Sequence, residues 1–384
     1  MKTADTKKNI LITGGGTGGH LYPAVAVIEY IQKNYPAVAV TFIGSKEGSG
    51  KKLIPGMGIE FYTVRARGLA GSSSVMSKII NYILFLIYLI PGFLSSFNIL
   101  KKKRIDIVLG MGGYTCAPVV LAAIIRRIPF ALHEQNYIPG RLNKLFSGRA
   151  KYFFTSFEDT KSFLKNRNTN IIFSGNPVRR SIKKFRDVLP DYKKWGLEEK
   201  RFTIIAFGGS LGAKKINDVI MGLCGIFKNN DKIQILLISG ARFYNIIKKE
   251  MIKSQSNDDR IVFRVFPYIN EIEQIYRIAD LVIARAGANT VFEIAAAGIP
   301  SILIPYPFAI DDHQFYNARY LAEQGKSIII EDGILSAGLL AENINRILAD
   351  NMKIYNKMKD ISPAIALMES QQIISRRLLE DDIG

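Results

Sequence analysis

The sequence predicts an α/β protein of the doubly wound type, built as two Rossmann-like domains, and three observations carry that prediction. Short β-rich runs alternate with helical patterns along the chain, as in parallel sheets joined by helical crossovers. The alternation comes in two series that open alike, with a strand, a glycine turn and a helix. One opening is Asn-Ile-Leu-Ile-Thr-Gly-Gly-Gly-Thr-Gly-Gly-His at residues 9–20, and the other is Thr-Ile-Ile-Ala-Phe-Gly-Gly-Ser-Leu-Gly-Ala at 203–213. Finally, 384 residues exceed what one ordinary core holds.

The first series predicts strands at Asn9–Thr13, Val38–Ile43, Ile105–Leu109, Phe130–Leu132, Tyr152–Thr155 and Ile171–Phe173. The second predicts Phe202–Phe207, Ile233–Ile238, Ile261–Val265, Leu281–Ala284, Ser301–Ile304 and Ser327–Ile330. Ser174-Gly175-Asn176-Pro177 marks the break between them. The expected domains are therefore 1–174 and 175–365, with a terminal helix at 366–384 returning to the first. Two such domains are expected to face each other across a cleft at the carboxyl ends of both sheets, where ligands bind in these folds.

With 48% hydrophobic and 22% charged residues the chain is a folded protein. Cys116 and Cys224 are far apart and lack metal-type neighbours, which suggests a reducing cytoplasm. Residues 1–8 hold no apolar region of signal-peptide length. The net charge of +19 favours an anionic partner, against the plainer reading of a lysine-rich composition with no special partner. Basic residues are scattered except for Lys101-Lys102-Lys103-Arg104, which follows the uncharged segment Ile79–Leu100. That order favours an anionic membrane surface, met through 75–104, over nucleic acid. Pro91-Gly92 is expected to break or kink the segment, leaving a helix too short to span a bilayer. A single span would also separate strands of one sheet. A helix in the membrane interface is favoured over a buried core helix.

Five of residues 14–19 are glycines, and a helix opens after them, an arrangement that lets backbone N–H groups face a phosphate. Gly14-x-Gly16-x-x-Gly19 also matches a dinucleotide fingerprint, but no acidic residue ends the second strand, which disfavours a dehydrogenase. Further glycine turns occur at Gly110–Tyr114 and Gly208–Gly212. Each could be only a tight turn; three at strand ends point to several phosphates. All three histidines, His20, His133 and His313, follow strands and lack zinc spacing, so no metal is proposed. His20, at a helix N-terminus, suits a base. In Ala284–Glu293, Ala-Gly-Ala opens a helix and Glu293 could accept from ribose hydroxyls; a capped helix with a solvated glutamate is the plainer alternative.

Several segments occur in the order seen in one family. They are Thr-Gly-Gly-Gly-Thr-Gly-Gly-His-Leu-Tyr-Pro-Ala, Gly-Met-Gly-Gly-Tyr, His-Glu-Gln-Asn, Gly-Asn-Pro-Val-Arg, Gly-Gly-Ser-Leu-Gly-Ala, Ala-Gly-Ala-Asn-Thr-Val-Phe-Glu and His-Gln-Phe-Tyr-Asn-Ala. Over residues 9–320 the chain resembles the MurG family of glycosyltransferase family 28, hexosyltransferases that convert lipid I to lipid II in peptidoglycan synthesis. The resemblance implies a GT-B fold, UDP-GlcNAc as donor and undecaprenyl-diphosphate-MurNAc-pentapeptide as acceptor. It further implies an inverted β1→4 linkage, no cofactor, and a peripheral position on the cytoplasmic face of the membrane. GT-B enzymes that glycosylate diacylglycerol share parts of this pattern and remain the alternative; His-Glu-Gln-Asn and Gly-Asn-Pro-Val-Arg favour the lipid I enzymes.

Carried over residue by residue, the resemblance makes His20 the general base, with Glu134 as a rival. Thr17, Gly18 and Gly19 face donor sugar and acceptor, and Asn136 contacts a sugar. Gly16, Gly112, Gly113 and Tyr114 seat the acceptor diphosphate. Arg179 and Ser210 lie at the donor's nucleotide and diphosphate, Ile269 meets uracil through its backbone, and Gln314 holds a GlcNAc hydroxyl. Ala288, Asn289, Thr290, Val291, Phe292 and Glu293 form the phosphate and ribose segment. Phe292 departs from the pattern, standing where a small residue is common, and Asp311-Asp312 is an unusually acidic lead-in.

Overall fold

The computed structural model describes residues 8–15, 18–46, 50–66, 75–164, 170–209, 211–254, 256, 258–362 and 369–380, without the side chains of 75–79 and 82–86. The chain divides into two units, Met1–Arg179 with Met368–Gly384, and Arg180–Leu367.

In unit 1, β1 (Asn9–Thr13) leads into α1 (Gly18–Asn34). β2 (Ala39–Ser45), α2 (Gly50–Gly56), β3 (Glu60–Val64) and the long α3 (Val75–Lys102) follow. Then come β4 (Ile107–Gly110), α4 (Cys116–Ile125), β5 (Phe130–Glu134), α5 (Arg141–Phe146), β6 (Tyr152–Thr155) and β7 (Asn170–Phe173). The seven strands form one sheet in the order β3-β2-β1-β4-β5-β6-β7, and every pairing is parallel. Leu11 pairs with Thr41 on one side and Val108 on the other. Successive residues of β1 feed opposite layers: Ile10 and Ile12 pack with α1, and Leu11 packs with α4.

In unit 2 the order is α6 (Arg180–Lys183), β8 (Phe202–Phe207), α7 (Lys214–Ile226), β9 (Ile233–Ile238), α8 (Ala241–Ser254) and β10 (Val262–Phe266). It continues with α9 (Ile272–Ile278), β11 (Leu281–Ala284), α10 (Ala288–Ala297), β12 (Ser301–Leu303), α11 (His313–Glu323), β13 (Ser327–Ile329) and α12 (Ala337–Asp360). Its parallel sheet runs β10-β9-β8-β11-β12-β13. Lys326, fully buried, donates to the carbonyls of Gly298, Met358 and Lys359 and so ties the end of α10 to the end of α12. α13 (Ser370–Leu379) belongs to unit 1, where Ile374 and Leu378 join the α1 layer.

Two expectations need correction. β3 was not predicted; it is a half-buried edge strand whose run Glu-Phe-Tyr-Thr-Val mixes charged and aromatic residues. And α3 is not broken at Pro91: helix continues from Val75 to Lys102. Proline removes one backbone bond there, and packing compensates. Phe93, Phe97, Ile99 and Leu100 join the α4 layer, while Gly92 lies so close to the Arg65 carbonyl that a Cβ would stand 2.3 Å from it. Among the described residues no helix is long and apolar enough to cross a membrane.

Candidate active site

In each sheet the strand order reverses once, between β1 and β4 in unit 1 and between β8 and β11 in unit 2. Ligands of open parallel sheets bind beyond the carboxyl ends of the strands at such reversals. The glycine turns after β1 and β4 meet at the first, and at the second β8 and β11 end side by side, with Phe207 paired to Ala284.

At the first reversal, His20 stands in the opening turn of α1, after Gly18 and Gly19. Its imidazole lies along the backbone of Gly112 and Gly113, both at positive φ; a Cβ on Gly113 would come 2.6 Å from the Gly15 carbonyl and 3.0 Å from the ring. His20 Nδ1 is 2.9 Å from Gln135 Oε1. Gln135 Nε2 is 2.8 Å from the Met111 carbonyl and 2.8 Å from His133 Nδ1. His133 Nε2 in turn donates to the Gly175 carbonyl at 3.1 Å. His133 is fully buried, and loss of solvent pushes its imidazole down to about 4, so it is neutral near pH 7. Tyr114 places its hydroxyl 3.4 Å from Ser45 Oγ at the same end of the sheet.

Glu134 is 2% exposed and accepts four hydrogen bonds. Asn136 donates its backbone N–H (3.0 Å) and Nδ2 (3.3 Å), Gly140 its N–H (2.9 Å), and Asn143 its Nδ2 (2.8 Å). The carboxylate thus fastens the 136–143 loop, and Asn136, expected at a sugar, is part of that clasp. Arg179, expected at the donor's nucleotide, lies at the end of unit 1, its guanidinium 4.4 Å over the ring of Tyr22 on α1. The chain does not change unit until after it. Gly16, Thr17 and Ser210 lie outside the described residues.

At the second reversal, α10 starts at Ala288 directly after Gly287, so its N-terminus lies just beyond the end of β11. Val291 and Phe292 are buried in the unit, and Asn289, Thr290 and Glu293 are partly buried. Phe292, which stands where a small residue is common in the family pattern, is 1% exposed. Tyr276 donates its hydroxyl to Glu293 at 3.2 Å. Gln314, on α11, accepts from the Tyr306 N–H at 3.1 Å through Oε1, which leaves its amide N–H groups as donors. Ile269 is buried in the loop after β10, beside the exposed ring of Tyr268. Asp311 and Asp312, both exposed and at positive φ, lead into α11. Among the described residues no group of three or more His, Cys, Asp or Glu side chains could hold a metal ion.

Gln135, Tyr22 and Tyr276 were not singled out from sequence. For Gln135 a signal existed: strand alternation from β5 puts His133 and Gln135 on one face.

Two Rossmann-like units, each with its strand order reversing once beside glycine-rich turns, are the architecture of the GT-B fold. The family 28 N-terminal domain model matches residues 10–155, and the family 28 C-terminal domain model matches 203–376. The chain is 36% identical over 366 residues, 95% of its length and 97% of the relative's, to the UDP-N-acetylglucosamine--N-acetylmuramyl-(pentapeptide) pyrophosphoryl-undecaprenol N-acetylglucosamine transferase of Thermoanaerobacter sp. (strain X514). The transferase of that name from Natranaerobius thermophilus is 34% identical over 368 residues, covering 95% of this chain and 98% of that one. The crystal structure of Acinetobacter baumannii MurG matches with a TM-score of 0.68 at 25% identity, covering 96% of this chain and 98% of that one. A Neisseria meningitidis UDP-GlcNAc 2-epimerase bound to UDP-GlcNAc shares the fold, with a TM-score of 0.66 at 14% identity over 97% of this chain and 99% of that one. The chain belongs to the MurG family within glycosyltransferase family 28. It is a hexosyltransferase.

Proposed function

We propose that the protein transfers GlcNAc from UDP-GlcNAc to the C4 hydroxyl of the MurNAc residue of lipid I, giving lipid II. The observation that carries the substrate pair is the likeness, over 95% of the chain, to transferases named for that reaction. In the chemistry, the acceptor oxygen attacks C1 of GlcNAc from the face opposite the diphosphate. The C1–O bond breaks, UDP leaves with the electron pair, and the configuration inverts.

His20 takes the proton of the attacking hydroxyl. Its Nδ1 is engaged by Gln135 and its Nε2 has no hydrogen bond among the described residues. Glu134 suits this role less well, since its carboxylate already accepts from Asn136, Gly140 and Asn143. The departing diphosphate is neutralised at the N-terminus of α10, Glu293 and Gln314 hold ribose and GlcNAc hydroxyls, and Ile269 offers its backbone to uracil. Gly112, Gly113 and Tyr114 seat the acceptor diphosphate.

A lipid acceptor requires a membrane surface. α3 shows an apolar stripe outward, with Ile87 57%, Ile90 63% and Leu94 55% exposed, and the basic run Lys101–Arg104 spans its C-terminal end. This stripe enters the interface of an anionic membrane on the cytoplasmic face, and the basic end meets the head groups. The test is transfer from UDP-GlcNAc to a short-chain lipid I analogue with diacylglycerol as the comparison acceptor. Turnover with the first alone is expected; turnover only with diacylglycerol would replace the proposed acceptor.

A further inference from the structure

We infer that Gln135 is a positioning residue for the base, fixing His20 in the tautomer that carries its proton on Nδ1 and leaves Nε2 bare. The inference rests on the proposed reading of His20 as the base.

The assignment follows from a chain of contacts that admits one consistent set of donors. The Gly175 carbonyl can only accept, so His133 Nε2 carries the hydrogen of that 3.1 Å contact. His133 is neutral in its buried site, so its Nδ1 holds a lone pair and must accept. The group facing it at 2.8 Å is therefore the Gln135 NH2, which spends its other hydrogen on the Met111 carbonyl at 2.8 Å. Turning the amide over would set its oxygen against two acceptors. Gln135 Oε1 is thus the atom 2.9 Å from His20 Nδ1, and an amide oxygen only accepts. His20 must then donate from Nδ1, and a neutral imidazole has no second hydrogen for Nε2.

The anchor for this chain is backbone. Gly175 is held by its own N–H on the Thr155 carbonyl at 3.2 Å, at the end of β6, and β6 pairs with β5. The choice of an amide also has a chemical consequence. A carboxylate in this place would fix the same tautomer but would stabilise the imidazolium and hold the proton after transfer. Gln135 orients the ring without retaining the charge, so the base can be regenerated between turnovers.

The test is nitrogen NMR of the full chain labelled at histidine, which has only three histidines to assign. In its neutral form, His20 is expected as the Nδ1–H tautomer; a neutral His20 carrying its hydrogen on Nε2 in the unmodified protein overturns the inference. Gln135→Leu keeps the size of the side chain and removes its hydrogen bonds. It is expected to release the tautomer to a mixture and to lower kcat about tenfold or more with little change in KM for UDP-GlcNAc. A fall in kcat with the tautomer unaltered overturns the positioning role. His20→Ala tests the base separately: unchanged turnover there removes the base reading, while the tautomer measurement still decides what Gln135 does.

Discussion

The Glu134 carboxylate and the Asn143 side-chain amide meet at 2.8 Å with both residues buried, so the acidic group of His-Glu-Gln-Asn is spent on holding its own loop. The two candidates for the base therefore separate by experiment. His20→Ala is expected to lower kcat by about 10²–10⁴ while the protein still binds UDP, since the loss is of general-base assistance. Glu134→Gln turns an acceptor into a donor facing other donors. It should destabilise the protein by about 1–3 kcal/mol and cost far less kcat at saturating substrate. Thermal unfolding and steady-state kinetics on both variants check this; a larger kcat loss in Glu134→Gln would make Glu134 the base.

The repeated strand series was legible because strands buried on both faces of a parallel sheet read as continuous apolar runs, as Ile233–Ile238 and Leu281–Ala284 do. β3 escaped because an edge strand needs no such run. α3 runs through Pro91 with Gly92 packed against the Arg65 carbonyl and Phe93 and Phe97 against the α4 layer, tertiary contacts that a local proline rule does not contain. The glycine turns and His20 were readable as motifs. Their supports were not: Gln135 donates to the Met111 carbonyl and His133 to the Gly175 carbonyl, groups that only folding brings together, and Tyr276 reaches Glu293 from another helix.

His133 ties stability to pH. Its imidazole titrates at about 4 in the folded protein, against about 6.5 when unfolded. Between those values the unfolded chain binds the extra proton, so stability falls as the pH drops through that window and recovers above it. The loss by pH 4 is about 3 kcal/mol relative to neutral pH. Denaturant titrations of the wild type and of His133→Gln from pH 7 to 4 check it. The variant, which cannot titrate, should show a shallower acid dependence, and equal slopes would exclude His133 as the cause.

The outward stripe of α3 makes a prediction about membranes. Ile87→Glu places a charge where an apolar side chain would enter the interface. Because Ile87 is already solvent-exposed, folding should change by no more than about 0.5 kcal/mol. Co-sedimentation with vesicles containing anionic lipid is expected to fall at least severalfold, with turnover of a soluble short-chain acceptor retained. Undiminished sedimentation would show that this stripe is not the membrane contact.

Glu293 and Tyr276 allow the donor site to be tested without touching the base. If the Glu293 carboxylate accepts from ribose hydroxyls, Glu293→Ala removes hydrogen bonds to a charged group worth about 1.5–3 kcal/mol, so the affinity for UDP should fall by roughly ten- to more than a hundredfold. Tyr276→Phe removes the 3.2 Å hydrogen bond to the carboxylate and keeps the ring. UDP affinity should then fall by less than in Glu293→Ala, with the double variant no weaker than Glu293→Ala alone, because both changes act through the same carboxylate. Calorimetric titration with UDP and with UMP reads this directly. Both nucleotides carry the ribose, so both should weaken in parallel. A loss confined to UDP would place Glu293 at the diphosphate side of the site instead.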